Sequence, residues 1–162
     1  MYDLIVVPVD GSEASQHATK HALSLAEITD ATVHLLNVVS LNESRNIDVQ
    51  LIEQGHLYQE LRKIGEQIID ETLAPINKPT IPIERKTLTG RPDKQILAYI
   101  VAQQPDLVIM GSQGKTGIKR VVLGSVAENV ARRSTAPVQL IPSPDKSAPV
   151  IDTFQHNELN TE

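Results

Sequence analysis

Cysteine and tryptophan are both absent from the 162 residues. Without cysteine the chain can hold no disulfide framework, no thiol nucleophile and no Cys-ligated zinc or iron-sulfur centre. Aromatic rings are scarce. Tyr2, Tyr58, Tyr99 and Phe154 are all there are, so the stacking platforms on which single-strand nucleic-acid binders rely are missing. Basic charge is in short supply too: 15 Lys and Arg stand against 20 Asp and Glu, a net charge of −5, which argues against a general affinity for nucleic acid. Long apolar runs are also wanting, and the amino end MYDLIVVPVDGSE has no basic leader before its short apolar stretch. The expectation is a cytoplasmic protein with no membrane insertion. At this length one domain is expected, burying roughly 70% of the unfolded surface and needing no staple.

What charge there is lies unevenly. The tail from Pro142 to Glu162 carries Asp145, Asp152, Glu158 and Glu162 against Lys146, whereas Gly111 to Ala136 holds Lys115, Lys119, Arg120, Arg132 and Arg133 against Glu128. A local basic patch on an acidic chain suits a small anionic ligand better than a polymer.

Hydrophobic patterning predicts alternating strands and helices. Leu4 to Val9 (LIVVPV), Thr32 to Val39, Ile81 to Leu88, Asp106 to Met110 and Pro137 to Ile141 read as short apolar strands. Helical spacing runs over Glu13 to Ile28 with Ser12 as N-cap, over about Val49 to Leu73, after Gly90-Arg91-Pro92, and over Ser125 to Arg133. Gly55 and Gly65 interrupt the second of these. Ser40 to Asn46 reads as a loop. Ser125 and Glu128 have the spacing of a capping box. The order β-α-β-α-β-α-β-α-β implies an α/β fold with a parallel sheet covered on both faces. Residues 143–162 are Pro-rich and polar, a tail outside that fold.

In such a sheet ligands sit beyond the carboxyl ends of the strands, where strand order reverses. Asp10-Gly11-Ser12 follows the first strand and Gly111-Ser112-Gln113-Gly114 the fourth. If those strands are neighbours, the two loops share a crevice with the helix that opens at Gly124-Ser125, where backbone N–H groups and the helix dipole favour phosphate. Gly114-Lys115-Thr116 imitates the end of a P-loop, but that motif needs glycine at the position of Ile109. A dinucleotide fingerprint lacks its second glycine. A phosphoacceptor receiver would need acidic company for Asp10.

The spacing Gly111-x2-Gly114-x9-Gly124-Ser125, together with VPVDGS, GRP and APVQLIP, resembles the universal stress protein family in its ATP-binding branch, over residues 1–142. The resemblance implies a Rossmann-like, adenine nucleotide alpha hydrolase-like domain with strand order 3-2-1-4-5. It also implies adenine against the backbone of Val38, Pro8 and Asp10 around the adenosine, and phosphates along Gly111, Gly114, Gly124, Ser125 and Val126, with Met110 also among the cofactor-binding residues. Glycines at those points let backbone N–H groups approach phosphate oxygens with no Cβ in the way. ATP or another adenine nucleotide is then the ligand, with Mg²⁺ bound through the phosphates.

Plainer readings stand beside these. Ser125 could be only an N-cap, Asp10 only a cap for the first helix, the glycines only turn residues, and Lys115, Lys119 and Arg120 a solvated face. His17 and His21 lie four apart, but HATKH lacks a third ligand and the metalloprotease Glu, so no protein-held metal is expected. His34 reads as packing or surface. No nucleophile elbow, Ser-His-Asp set or carboxylate pair is present. The leading expectation is an ATP-binding regulatory protein of the stress response, with a slow ATP hydrolase or phosphotransferase, or a nucleotide-free dimeric module, as alternatives. The implied strand order leaves the third and fifth strands as edges. Pro82, Glu84, Arg85 and Lys86 guard the third, whereas Val138 to Ile141 carries no charge, so a homodimer through the fifth strand, at Val138 and Leu140, is expected.

Overall fold

The computed structural model describes residues 1–40, 56–77, 79–114 and 123–144. Among the described residues five strands alternate with four helices: β1 (Leu4–Pro8), α1 (Glu13–Thr29), β2 (Thr32–Val39), α2 (Leu57–Leu73), β3 (Ile83–Thr89), α3 (Pro92–Gln103), β4 (Leu107–Gly111), α4 (Ser125–Arg133) and β5 (Val138–Ile141). All strand pairs are parallel, in the order β3-β2-β1-β4-β5. The expected α/β sheet is therefore present in the expected order. Because β1 and β4 are neighbours, the strand order reverses at their carboxyl ends.

Successive strand residues face opposite sides of the sheet, and both sides are covered here. Ile5, Val7, Leu35 and Ile109 pack with Ala18, Ala22 and Ala26 of α1 and Ile69 of α2. Val6, Leu36, Val108 and Met110 pack with Ile96 and Ile100 of α3 and Ala127 and Val130 of α4. The small residues of α1 let that helix lie close on the sheet. A continuous β-branched run with both faces buried is what a central parallel strand requires.

Several boundaries differ from expectation, each for a local reason. β1 stops at Pro8, because its pairing with β2 ends at Pro8 opposite Leu36. β3 starts at Ile83, with Pro82 contributing its carbonyl to Val33 N–H at 3.1 Å but having no N–H for the ladder. The Asp106 carboxylate precedes β4 and accepts the N–H groups of Asp3 and Leu4 at 2.8 and 3.0 Å. Those two bonds hold its pKa below the usual carboxylate range, Leu4 contributing most. Gly65 does not break α2. A Cβ there would collide with the Thr87 side chain, so glycine is what lets the helix press on β3. The expected loop at 41–46, the first turns of the second helix at 49–55 with Gly55, Lys115, Lys119 and Arg120, and the tail from residue 145 lie outside the described residues. No described helix is long and apolar enough to cross a membrane.

Candidate functional site

At the carboxyl ends of the strands, where β1 and β4 part, lies a crevice of about 730 Å³. It is built first from the loop after β1. Asp10 Oδ1 accepts the Ser12 N–H at 2.9 Å, closing a turn in which Gly11 takes a left-handed φ of 77°. Ser12 then caps α1, its Oγ accepting the Ser15 N–H at 3.1 Å, while Ser15 Oγ returns a bond to the Ser12 carbonyl at 2.9 Å. Ser12 is thus the N-cap the sequence indicated, and Asp10 shapes the turn instead of capping the helix.

The second wall is the glycine-bearing loop after β4. A Cβ on Gly111 would sit 2.8 Å from Ala14 Cβ and 3.0 Å from Ser15 N. Gly111 therefore allows the first turn of α1 to pack on the end of β4, a role in the fold that its place in the motif does not reveal. Gly114 faces Asp10, since a Cβ there would lie 3.0 Å from Asp10 Oδ2. Ser112 N–H donates to the Ile141 carbonyl and Gly124 N–H to the Ser112 carbonyl, both at 2.8 Å, so the two ends of the loop meet.

The expected capping box at Ser125 is not formed. Gly124 is the N-cap of α4, with no side-chain cap, and Ser125 is the first helical residue. Glu128 N–H donates to the Gly124 carbonyl at 2.8 Å, and the Glu128 carboxylate turns down the helix to Arg132 at 3.4 Å. With the extended backbone at Gly124, the first turn begins one residue too early for Ser125 to cap it. The N–H groups of Ser125, Val126 and Ala127 are left as the open end of the helix, and all three residues line the crevice.

The base of the crevice is the end of β2. Val9 N–H donates to the Leu36 carbonyl at 2.9 Å, the last rung between the first two strands. A regular ladder would next join Val38 N–H to the Val9 carbonyl. Instead Asn37 Nδ2 donates to that carbonyl at 2.8 Å. The alternation of the ladder turns Val38 N–H and C=O toward the side β1 has left. Asn37 is 2% exposed, and its Oδ1 is buried without a hydrogen-bond partner.

All nine sequence-derived candidates line this one crevice: Pro8, Asp10 and Val38 at the ends of β1 and β2, Met110, Gly111 and Gly114 after β4, and Gly124, Ser125 and Val126 at the mouth of α4. Sequence reasoning passed over Asn37, although an amide inside the apolar run TVHLLNVV was a visible signal. It also passed over the flank of α2, where Ile64, Gln67, Ile68 and Glu71 complete the wall. These carried no signal, because their helix meets the crevice only through the fold. His17 and His21 form no metal centre with other described residues, and His21 Nε2 lies 3.1 Å from Gln139 Nε2. His34 is packed, 7% exposed, against Tyr99 of α3.

Comparison with known proteins agrees with this architecture. The family described as the universal stress protein family matches residues 1–142. Universal stress protein MJ0531 of Methanocaldococcus jannaschii is 33% identical over 147 residues, covering 90% of this chain and 85% of that protein. The solved structure of MJ0577, a universal stress protein of the same organism, superposes with a TM-score of 0.73 at 27% identity, covering 90% of this chain and 99% of its own. A universal stress protein solved in complex with cAMP shares the fold, with a TM-score of 0.60 at 24% identity over 88% of this chain and 99% of that one.

Proposed function

The chain belongs to the universal stress protein family, and from that premise we propose that it is a cytoplasmic regulatory protein of the stress response. In this reading it binds ATP or another adenine nucleotide in the crevice, and occupancy alters loop order and the choice of partner. The observation that carries the reading is the uncapped amino end of α4, whose N–H groups line the crevice beside Gly114 and Gly124. α2 and α3 also open without a side-chain cap, but the open end of α4 is bordered by glycines and faces the crevice, which makes it a seat for phosphate. Backbone N–H groups of Gly114, Ser125 and Val126, with the Ser125 hydroxyl, hold the phosphates. Met110 and Gly111 form the floor, and Pro8 and Asp10 border the adenosine. Val38 N–H and C=O, left without a rung to β1, meet the donor and acceptor edge of the base. Mg²⁺ accompanies the nucleotide through its phosphates, where it offsets their charge.

Purified protein carrying tight nucleotide should show excess absorbance at 260 nm, since it has no Trp and 3 Tyr. At about a thousand times Kd, ATP with magnesium should add about 4 kcal/mol of stability. No excess absorbance and an unchanged melting temperature would refute the reading. A second reading, slow hydrolysis, rests on Asp10 Oδ2 lying against Gly114. Single-turnover ATP hydrolysis abolished by Asp10→Asn would favour it.

Assembly as a homodimer through β5 belongs to the same proposal. The strand is an uncharged sheet edge, and a two-fold pairing would satisfy its outer backbone groups. Val138 and Leu140 are half-buried against the core of their own chain, so the contact is chiefly main chain. Light scattering should report a dimer for the full chain and for a chain ending at Pro142. A full chain that is monomeric and dimerises only on truncation would show instead that the tail covers the edge.

A further inference from the structure

Asn37 holds the end of β2 open. We infer that it is a positioning residue: by binding the Val9 carbonyl in the place where the next rung of the ladder would form, its side-chain amide keeps Val38 N–H and C=O available to the base of a bound nucleotide. The inference deepens the nucleotide reading and rests on it for the identity of the ligand. Three observations carry it. The rung from Val38 N–H to the Val9 carbonyl, next in line after Val9 N–H to the Leu36 carbonyl, is missing although both residues stand at adjoining strand ends. The carbonyl it would use is engaged by Asn37 Nδ2 at 2.8 Å. The other end of the same amide, Oδ1, is buried and unpartnered.

The last point separates this residue from an ordinary buried asparagine. A carbonyl accepts and cannot donate, so the Asn37 amide must present Nδ2 to Val9, and Oδ1 has to face away. Buried polar groups are ordinarily paired, and an orphan works against the fold. An apolar side chain at 37 would leave no orphan, and the backbone could then close its own ladder. Asparagine is therefore explained by what it prevents. Closing the rung would engage Val38 N–H with β1 and draw the strand ends together across the crevice.

The chemistry at Val38 sets the test. A neighbouring N–H and C=O match adenine, whose ring N1 accepts and whose 6-amino group donates. Hypoxanthine reverses both, with an N1 proton and a 6-oxo group. Sites built on such pairs reject the reversed pattern strongly.

The experiment compares the parent with Asn37→Leu, which fills the space, and Asn37→Ala, should leucine not be accommodated. Two readouts are taken. In the absence of nucleotide, hydrogen exchange at the Val38 amide should slow about tenfold or more in the variants as the rung to Val9 forms. With nucleotide, ATP should bind about tenfold more weakly, as expected for a lost hydrogen bond, and the preference for ATP over ITP should shrink. A merely structural asparagine would lower the melting temperature while leaving the ATP-to-ITP ratio and Val38 exchange unchanged, and that result overturns the inference. If the parent binds neither nucleotide, the nucleotide reading fails, while the exchange measurement still decides whether Asn37 holds the rung open.

Discussion

Two polar clusters interrupt the apolar sandwich, and both are rooted on β2 three residues apart. Around His34 the groups satisfy one another: Nδ1 meets Tyr99 OH at 2.8 Å, Nε2 lies 3.5 Å from Glu84, and Glu84 pairs with Lys86 at 2.7 Å. Around Asn37 they do not, for Oδ1 has no partner, Val38 has lost its rung, and α4 opens without a cap. The first cluster joins β2, β3 and α3 and is complete as it stands. The second stands where the strands separate, and its donors and acceptors are left open to a ligand. Satisfaction of hydrogen bonds, more than polarity or burial, separates a structural cluster from a candidate site.

The largest expected effect comes from placing a carboxylate in the open cluster. A Cβ on Gly124 meets nothing closer than the Ser112 carbonyl at 3.4 Å, and aspartate is a favoured N-cap. Gly124→Asp should therefore keep or raise the melting temperature while weakening ATP binding about a hundredfold or more, because it takes up the helix end and repels phosphate. Calorimetric titration beside a thermal melt checks this, and equal affinity would place the phosphates elsewhere. Gly65→Ala should do the reverse. The added Cβ collides with Thr87 and should destabilise the fold by about 1 to 3 kcal/mol, read by urea denaturation, with ATP affinity falling far less than in Gly124→Asp under conditions where the protein stays folded.

The smallest effect probes the closed cluster by pH. Burial holds the His34 pKa below its ordinary value, against an opposing pull from Glu84, while Lys86 adds to the lowering. The Lys86 ammonium holds Glu84 low, and burial raises Tyr99. The unfolded chain thus binds the His34 proton more readily. The contribution of neutral His34 is complete above about pH 6.5 and declines as the pH falls through the folded pKa. His34→Gln should flatten the fall in melting temperature between neutral and mildly acid pH, and an identical slope in both proteins would show that His34 carries no such linkage.

The one-dimensional pattern determined a good deal. Apolar runs of strand length alternating with helical spacing are local consequences of burial on two faces of a sheet, so the α/β class was legible, and the Ser12 cap with it. The spacing of Gly111, Gly114 and Gly124 was legible through the family resemblance, with Gly111 at the end of β4 and Gly124 at the start of α4. What the chain alone left undetermined depends on contacts between segments far apart. Gly111 is held to glycine by α1 and Gly65 by β3. Gly124 displaced Ser125 as the cap because its N–H is tied to Ser112 across the loop. The opening at Val38 exists because β1 turns away one rung before β2 ends and Asn37 takes its place. Such choices are settled by competition among hydrogen-bond partners that only folding brings within about 3 Å of one another, and no local periodicity records which partner wins.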